Sequence, residues 1–427
     1  MRLAVPSLGA LIAEPIFVLT DTAMVGHLGA SPLAGLAVAS TVLQTAVGLL
    51  IFLAYATTPI VARRLGFGDR PGALAAGIDG LWLALGLGAL LLVALLPLSP
   101  AIVGLFGVEG AVADAALEYL SIAWWGIPGM LLVLAATGVL RGLQDARTPL
   151  VVAAAGFAAN IALNAALIYG LGLGVAGSAL GTVIAQWGMA AVLTGFVVRA
   201  ARREGARLRP GPTGIRAAAH AGSWLLVRTI SLRVALIVTV VIAADLGTAE
   251  LAATQIWFAL YSLLALGLDA LAIAGQALIG HGLGAGDVPR VHAITRRLVA
   301  WGVAVGAALM VPLLASTPLL AVAMTSDESV RALIPLAVVT LAVGLPLAGL
   351  VFVLDGVLIG AGDGRYLAVT GILNLAVYGA VLAIVVGMLG AGLAGLFISF
   401  MVGYLAARAA TLGWRVRGTA WILTGAR

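Results

Sequence analysis

Cysteine is missing from the 427 residues, and so is lysine: all 23 Lys and Arg positions are arginine. Without thiols the chain has no disulfide framework, no thiolate metal site and no sulfur redox chemistry. The exclusive use of arginine reads as a bias of genome composition, without functional content. Charge is scarce, at 9% of residues, and aromatics make up 6%. Soluble domains carry about a quarter charged residues, so this chain cannot build an ordinary water-facing surface. Ala, Leu, Val and 56 Gly fill the space instead, in a sequence that is 63% hydrophobic. That is a membrane composition, with small residues that let helices approach closely.

The net charge of +6 does not point to nucleic acid, because the arginines sit in short segments between apolar runs. The first apolar run, 3–26, is too long for a cleaved signal peptide and carries Glu14 and Asp21, so it reads as a spanning helix. A bilayer crossing takes about 20 apolar residues. Twelve segments meet that test: 3–26, 36–62, 74–96, 117–140, 150–169 and 176–198, then 222–244, 251–279, 294–314, 332–359, 368–388 and 393–412.

The arginines orient them. Even-numbered connections carry Arg63, Arg64, Arg70, Arg141, Arg147, Arg199, Arg202, Arg203, Arg207, Arg209, Arg216, Arg290, Arg296, Arg297 and Arg365, and the tail adds Arg415, Arg417 and Arg427. Odd-numbered connections carry Glu109, Asp114, Asp245, Glu250, Asp327 and Glu328, with Arg331 as their single base. The positive-inside rule therefore predicts both termini in the cytoplasm of a multi-pass plasma-membrane protein.

The chain also repeats itself. LGFGDRP from Leu65 returns as LGAGDVP from Leu283, and GVLRGLQDAR from Gly138 returns as GVLIGAGDGR from Gly356; 283 − 65 and 356 − 138 both equal 218. LGASPLAG from Leu28 pairs with LGTAELAA from Leu246, and GVAG from Gly174 with GLAG from Gly392, at the same offset. Six spans per repeat is an even number, so the halves share one orientation, the parallel type of transporter repeat. The expected fold is an all-α membrane protein of twelve transmembrane helices in two six-helix lobes around a central cleft. Its expected divisions are an N-lobe over 1–199, a cytoplasmic linker over 200–218, a C-lobe over 219–414 and a cytoplasmic tail over 415–427.

Ionisable groups within spans are costly and mark function. The candidates are Glu14 and Asp21 in the first span, Asp79 in the third, Arg228 and Arg233 in the seventh, Asp269 in the eighth and Asp355 in the tenth. The repeat partner of Asp21 is Thr239 and that of Asp355 is Thr137, so neither acid is imposed by the shared architecture. Asp21 suits a proton- or cation-linked role; its bland alternative is a buried acid bonded to Thr20 or Thr22. Asn160 and Asn164 stand one helical turn apart in a chain with one other Asn, Asn374, and can serve a carboxylate, a cation or another helix. Glu14 precedes Pro15, which removes a helix hydrogen bond and permits a kink. Asp355 is a second coupling or substrate candidate. Asp269 with Arg228 or Arg233 reads as a buried ion pair that fixes the second lobe. No metal-ligand cluster, phosphate loop or Ser/His/Asp arrangement is present, so neither a cofactor nor an enzyme is expected.

VLTDTAMVGHLG (Val18–Gly29), followed by LAGLA, resembles the first-helix signature of the multidrug and toxic compound extrusion (MATE) family. LDALAIAGQALIG (Leu268–Gly280) and LDGVLIGAGDGRY (Leu354–Tyr366) resemble its DNA-damage-inducible F branch. The resemblance implies a V-shaped pair of lobes and antiport of amphipathic, often cationic compounds against protons or sodium. It implies that Asp21 is the acid of the N-lobe cavity, that Pro6 lies where helix 1 bends, and that Asn160 and Asn164 fall at a cation site. The family often has Asp at the second of those positions. Asn164 removes that carboxylate, and the glutamate that accompanies the Asp355 position on helix 7 is missing too. Both departures favour proton coupling through Asp21. Sodium coupling, a lipid-linked precursor flippase and a passive channel are the competing readings. With two arginines noted in spans, Arg228 and Arg233, a flippase cavity lined by several bases is not expected. The expected partners are a small organic substrate, H+ (or Na+) and the bilayer, around a monomer.

Overall fold

The structure is a computed structural model and describes residues 3–426; the side chains of Ala10, Ala13, Glu14, Ile16 and Phe17 lie outside the described residues. Helix α1 spans Ala4–Gly26. Eleven further helices among the described residues are long and apolar enough to cross a membrane: α2 Ala30–Gly66, α3 Arg70–Gly104, α4 Ala111–Gly142, α5 Arg147–Gly170, α6 Gly174–Arg203, α7 Pro212–Leu246, α8 Thr248–Gly284, α9 Val288–Ala315, α10 Glu328–Gly360, α11 Gly364–Met388 and α12 Gly392–Arg417. A short helix, Thr317–Met324, precedes α10. The chain divides into two compact units, 1–222 with 426–427, and 223–425.

The repeated motifs are the helix punctuation. In LGFGDRP, Gly68 takes φ +89° to end α2, and Asp69 N–H returns to the Arg64 carbonyl at 3.0 Å. The Asp69 carboxylate then accepts from Gly72 N–H at 2.8 Å, with Pro71 beside it, and starts α3. LGAGDVP repeats each step: Gly286 at φ +71°, Asp287 N–H to Gly282 at 3.1 Å, and its carboxylate to Arg290 N–H at 3.0 Å. The second motif behaves likewise, with φ +69° at Gln144 and +74° at Gly362. Even the irregular turns obey the offset of 218. A π-helical turn ends α5 at Ala165–Gly170, and another ends α11 at Ala383–Met388.

Within the first unit α4 lies against α2, α3 and α6, while α5 packs between α1 and α6. Within the second, α10 is the centre, with α8 and α9 against it. Glycine sets those distances. A Cβ on Gly349 of α10 would stand 2.0 Å from the Gly302 carbonyl of α9, and one on Gly356 would stand 2.5 Å from the Ala272 carbonyl of α8. Backbone contact of this kind replaces the hydrophobic drive that a bilayer does not supply between helices. Gly349→Ala is therefore expected to destabilise the second unit by about 1–3 kcal/mol. Gly188→Ala, which meets nothing within 4 Å, is expected to be silent. Thermal midpoints of the two variants in detergent check this.

The polar connection between the repeats is shorter than the 200–218 read from composition, because α6 runs on to Arg203 and α7 already starts at Pro212. Residues 204–211 are fastened to α3 of their own unit. Arg207 donates to Asp79 Oδ2 at 2.8 Å, Gly211 N–H to Asp79 Oδ1 at 2.7 Å, and Trp82 Nε1 to the Leu208 carbonyl at 3.1 Å. Arg70 pairs with Glu204 at 2.8 Å. Asp79 is thus an anchor for this connection, and Arg207 holds it in addition to marking topology.

Candidate functional site

Thr22, one of the two hydroxyls expected beside Asp21, donates instead to the Val18 carbonyl of its own helix at 2.7 Å. The carboxylate, 7% exposed, is met from other helices instead. Asn164 of α5 donates its amide to Asp21 Oδ1 at 2.7 Å, and Ser178 of α6 donates its hydroxyl to the same oxygen at 2.6 Å. One turn earlier on α5, Asn160 donates to Thr182 Oγ1 at 3.2 Å. The Tyr119 phenol of α4 is in hydrogen-bonding reach of Thr182 and Ser178 and close enough to Asp21 to feel its charge.

Two features of the sequence make this convergence possible. Asn160 and Asn164 share a face of α5, and Ser178 and Thr182 share the facing stripe of α6 at the same spacing. The glycines beside those hydroxyls bring the helices together. A Cβ at Gly181 would meet Asn164 Oδ1 at 2.0 Å, and one at Gly177 would meet the backbone of Ile168 at 2.9 Å. Tyr169 closes the end of α5 by donating to the Met24 carbonyl of α1 at 2.7 Å. The side-chain carbonyls of Asn160 and Asn164 are buried and have no hydrogen-bond partner. The site therefore holds one carboxylate, two unused amide carbonyls and three hydroxyls. Such a set can exchange a proton, hold a small monovalent cation or accept a cationic group of a ligand.

The second unit has nothing like it at the related positions. At the offset of 218, Asp21, Asn160, Asn164, Ser178 and Thr182 become Thr239, Tyr378, Leu382, Leu396 and Phe400. There Thr239 and Tyr378 bond each other at 2.7 Å, and Leu396 and Phe400 are fully buried.

That unit carries a different cluster. Asp355 of α10, 5% exposed, accepts from Arg228 of α7 and from Arg408 of α12, the latter at 2.7 Å. Arg408 also lies over the Tyr404 ring, 5.8 Å from its centroid. Their partners in the first repeat are Thr137, Ala10 and Ala190, so this cluster is also asymmetric. Arg408 is a third arginine within a span and corrects the two counted from sequence, where it lay close to the basic tail. Asp355 is an acid on Arg228, and Asp269 sits half-buried on α8, in electrostatic reach of Tyr261. Arg233 is exposed.

Pro15 lies inside α1, which continues through it, and Pro6 falls in the first turn, where helix N–H groups have no acceptor to lose. Glu14 falls on α1 with its side chain outside the described residues. Ser178, Thr182, Tyr119 and Arg408 are the site residues that sequence reasoning missed. The spacing of Ser178 and Thr182, which matches the Asn pair, was the available signal.

The chain matches the family model described as MatE over residues 6–166 and 225–385, once in each repeat. DNA damage-inducible protein F of Escherichia coli is 33% identical over 298 residues, 67% of this chain and 63% of that protein. Protein DETOXIFICATION 44, chloroplastic, of Arabidopsis thaliana is 29% identical over 378 residues, 85% of this chain and 72% of that protein. Among solved structures, a MATE transporter in the bent conformation shares the fold with a TM-score of 0.90 at 22% identity, over 98% of this chain and 95% of that one. A Vibrio cholerae MATE transporter in its bent form gives 0.89 at 21%, over 97% and 96%. Twelve helices in two repeats, a buried acid on the first of them and a family match in both halves lead to one conclusion: this chain belongs to the MatE family of multidrug and toxic compound extrusion transporters, membrane proteins and not enzymes.

Proposed function

We propose that the chain is a secondary active antiporter that exports amphipathic, cationic organic compounds in exchange for protons by alternating access, with Asp21 as the group for which substrate and proton compete. The observation that carries this is the isolation of Asp21: one buried carboxylate with two neutral donors on one of its oxygens and, among the described residues, no arginine partner. Ionised, it can balance a cationic substrate; protonated, it cannot. One carboxylate cannot favour both ligands at once, and a difference of a few kcal/mol between states is enough to shift populations. The likeness to multidrug resistance protein MdtK of Edwardsiella ictaluri, 27% identical over 320 residues, supports the substrate class. The arginine distribution supports a plasma-membrane orientation with both termini cytoplasmic.

Sodium is the second reading, and the unused carbonyls of Asn160 and Asn164 favour it, since oxygen ligands of that kind suit a hard cation. Efflux of a fluorescent cationic dye from proteoliposomes tests the choice. An imposed proton gradient is expected to drive it, and a sodium gradient alone is not. The reverse result would replace the proton with sodium.

A further inference from the structure

We infer that Ser178 is a positioning residue that makes Asp21 read protons in preference to alkali cations. The inference rests on the proton-coupled reading above and adds to it the residue that sets ion choice.

The argument is an accounting of lone pairs. A carboxylate oxygen offers about two acceptor sites. On Asp21 Oδ1 both are taken, by Asn164 Nδ2 at 2.7 Å and Ser178 Oγ at 2.6 Å. That oxygen has no lone pair left for a cation, so a cation at Asp21 is confined to Oδ2 and cannot be held by both carboxylate oxygens. A proton is treated differently. The Ser178 hydroxyl is a rotor that both donates and accepts. When Asp21 is ionised, Ser178 donates to it. When Asp21 takes up a proton, its O–H can donate to Ser178 Oγ, and the Ser178 hydrogen turns toward the Tyr119 oxygen, which is in reach. Asp21 Oδ1, Asn164 Nδ2 and Ser178 Oγ each keep a partner in both protonation states, and no heavy atom has to move.

Asn164 alone cannot do this without turning its amide over. Gly181, whose missing Cβ leaves the space that Asn164 Oδ1 occupies, fixes that amide closely. Among the described residues, the titratable group in electrostatic reach of Asp21 is Tyr119 on α4; Asn160 and Asn164 on α5 and Ser178 and Thr182 on α6 are neutral. Ser178 itself is fully buried, and its partner in the second repeat is Leu396. A hydroxyl is therefore not demanded by the helix packing that the two halves share.

The test compares wild type, Ser178→Ala and Ser178→Thr in proteoliposomes, following proton-driven dye transport against pH with sodium or choline as the bulk cation. Losing a hydrogen bond to the ionised carboxylate makes protonation easier, so Ser178→Ala is expected to move the half-maximal pH upward by about one unit. It also frees a lone pair on Oδ1 and lets both carboxylate oxygens hold a cation, so sodium is expected to slow transport by Ser178→Ala more than by wild type. Ser178→Thr is expected to restore both properties. A shared thermal midpoint among the three separates these effects from misfolding. Should Ser178→Ala lose the folded state, a Ser178→Cys variant, similar in size with a weak donor, is expected to show the same shifts in part. An unchanged half-maximal pH with an unchanged response to sodium, in a wild type that protons drive, overturns the role of Ser178 alone. Sodium-driven transport by the wild type overturns the proton reading and this inference together.

Discussion

Asp21→Asn is expected to abolish gradient-driven export and to leave the fold intact. The substitution is nearly isosteric, and the pocket can accept it. An Asn carbonyl at the place of Oδ1 still receives Asn164 and Ser178. With those two hydrogen bonds kept, the expected cost in stability is about 1 kcal/mol. Coupling fares differently. A carboxamide neither binds a proton in the working range nor balances a cationic substrate, so nothing exchanges one for the other. Initial rates of dye transport driven by a proton gradient are expected to fall to the level of protein-free vesicles. The thermal midpoint in detergent is expected to stay within a few degrees of wild type. Full proton-driven activity in the variant would move coupling away from α1 altogether.

Much of this protein is legible before any coordinates. Its charges are so few that each span stands out, and the motifs LGFGDRP and LGAGDVP fix the repeat because each spells out a helix end and the next helix start. Asp21 and the Asn pair are legible for the same reason, as lone polar groups in apolar surroundings. Ser178, Thr182 and Tyr119 are not, because Ser, Thr and Tyr occur widely in spans, where hydroxyls bond their own helix at no cost. Thr57, Thr58, Thr229 and Thr239 all do so. Only the contact between α5 and α6, set by Gly177 and Gly181, reveals which hydroxyls look across to a neighbour. Arg408 was hidden differently. It lies about two turns before Arg415 and Arg417, near the end of the apolar run 393–412, and its sequence position does not show that its side chain is buried against Asp355.

That burial gives the second large expectation, and it separates the two acids. Asp355 is met by two guanidinium groups, so its charge is already more than balanced, and a proton there would leave two arginines facing each other. The arrangement braces α7, α10 and α12 and is poorly suited to loading a cation. Removing the acid leaves like charges buried together, for which a loss of about 3–5 kcal/mol is the usual scale. Asp355→Asn is therefore expected to lower the thermal midpoint sharply and to reduce the yield of monodisperse protein. Arg408→Met, which leaves the Arg228 pair in place and fills the space with an apolar chain, is expected to be much milder. Adding Arg408→Met to Asp355→Asn is expected to recover part of the loss, since one of the two buried like charges is gone. The pattern distinguishes a brace from a coupling group through stability and not activity. An Asp355→Asn protein that melts like wild type yet transports nothing would assign Asp355 to coupling, and the second unit would then carry an ion site of its own. A protein that melts early, recovers with Arg408→Met and regains transport would leave coupling to Asp21 and make the asymmetry of the repeats a division of labour: a proton-reading carboxylate in the first, a charged clamp in the second.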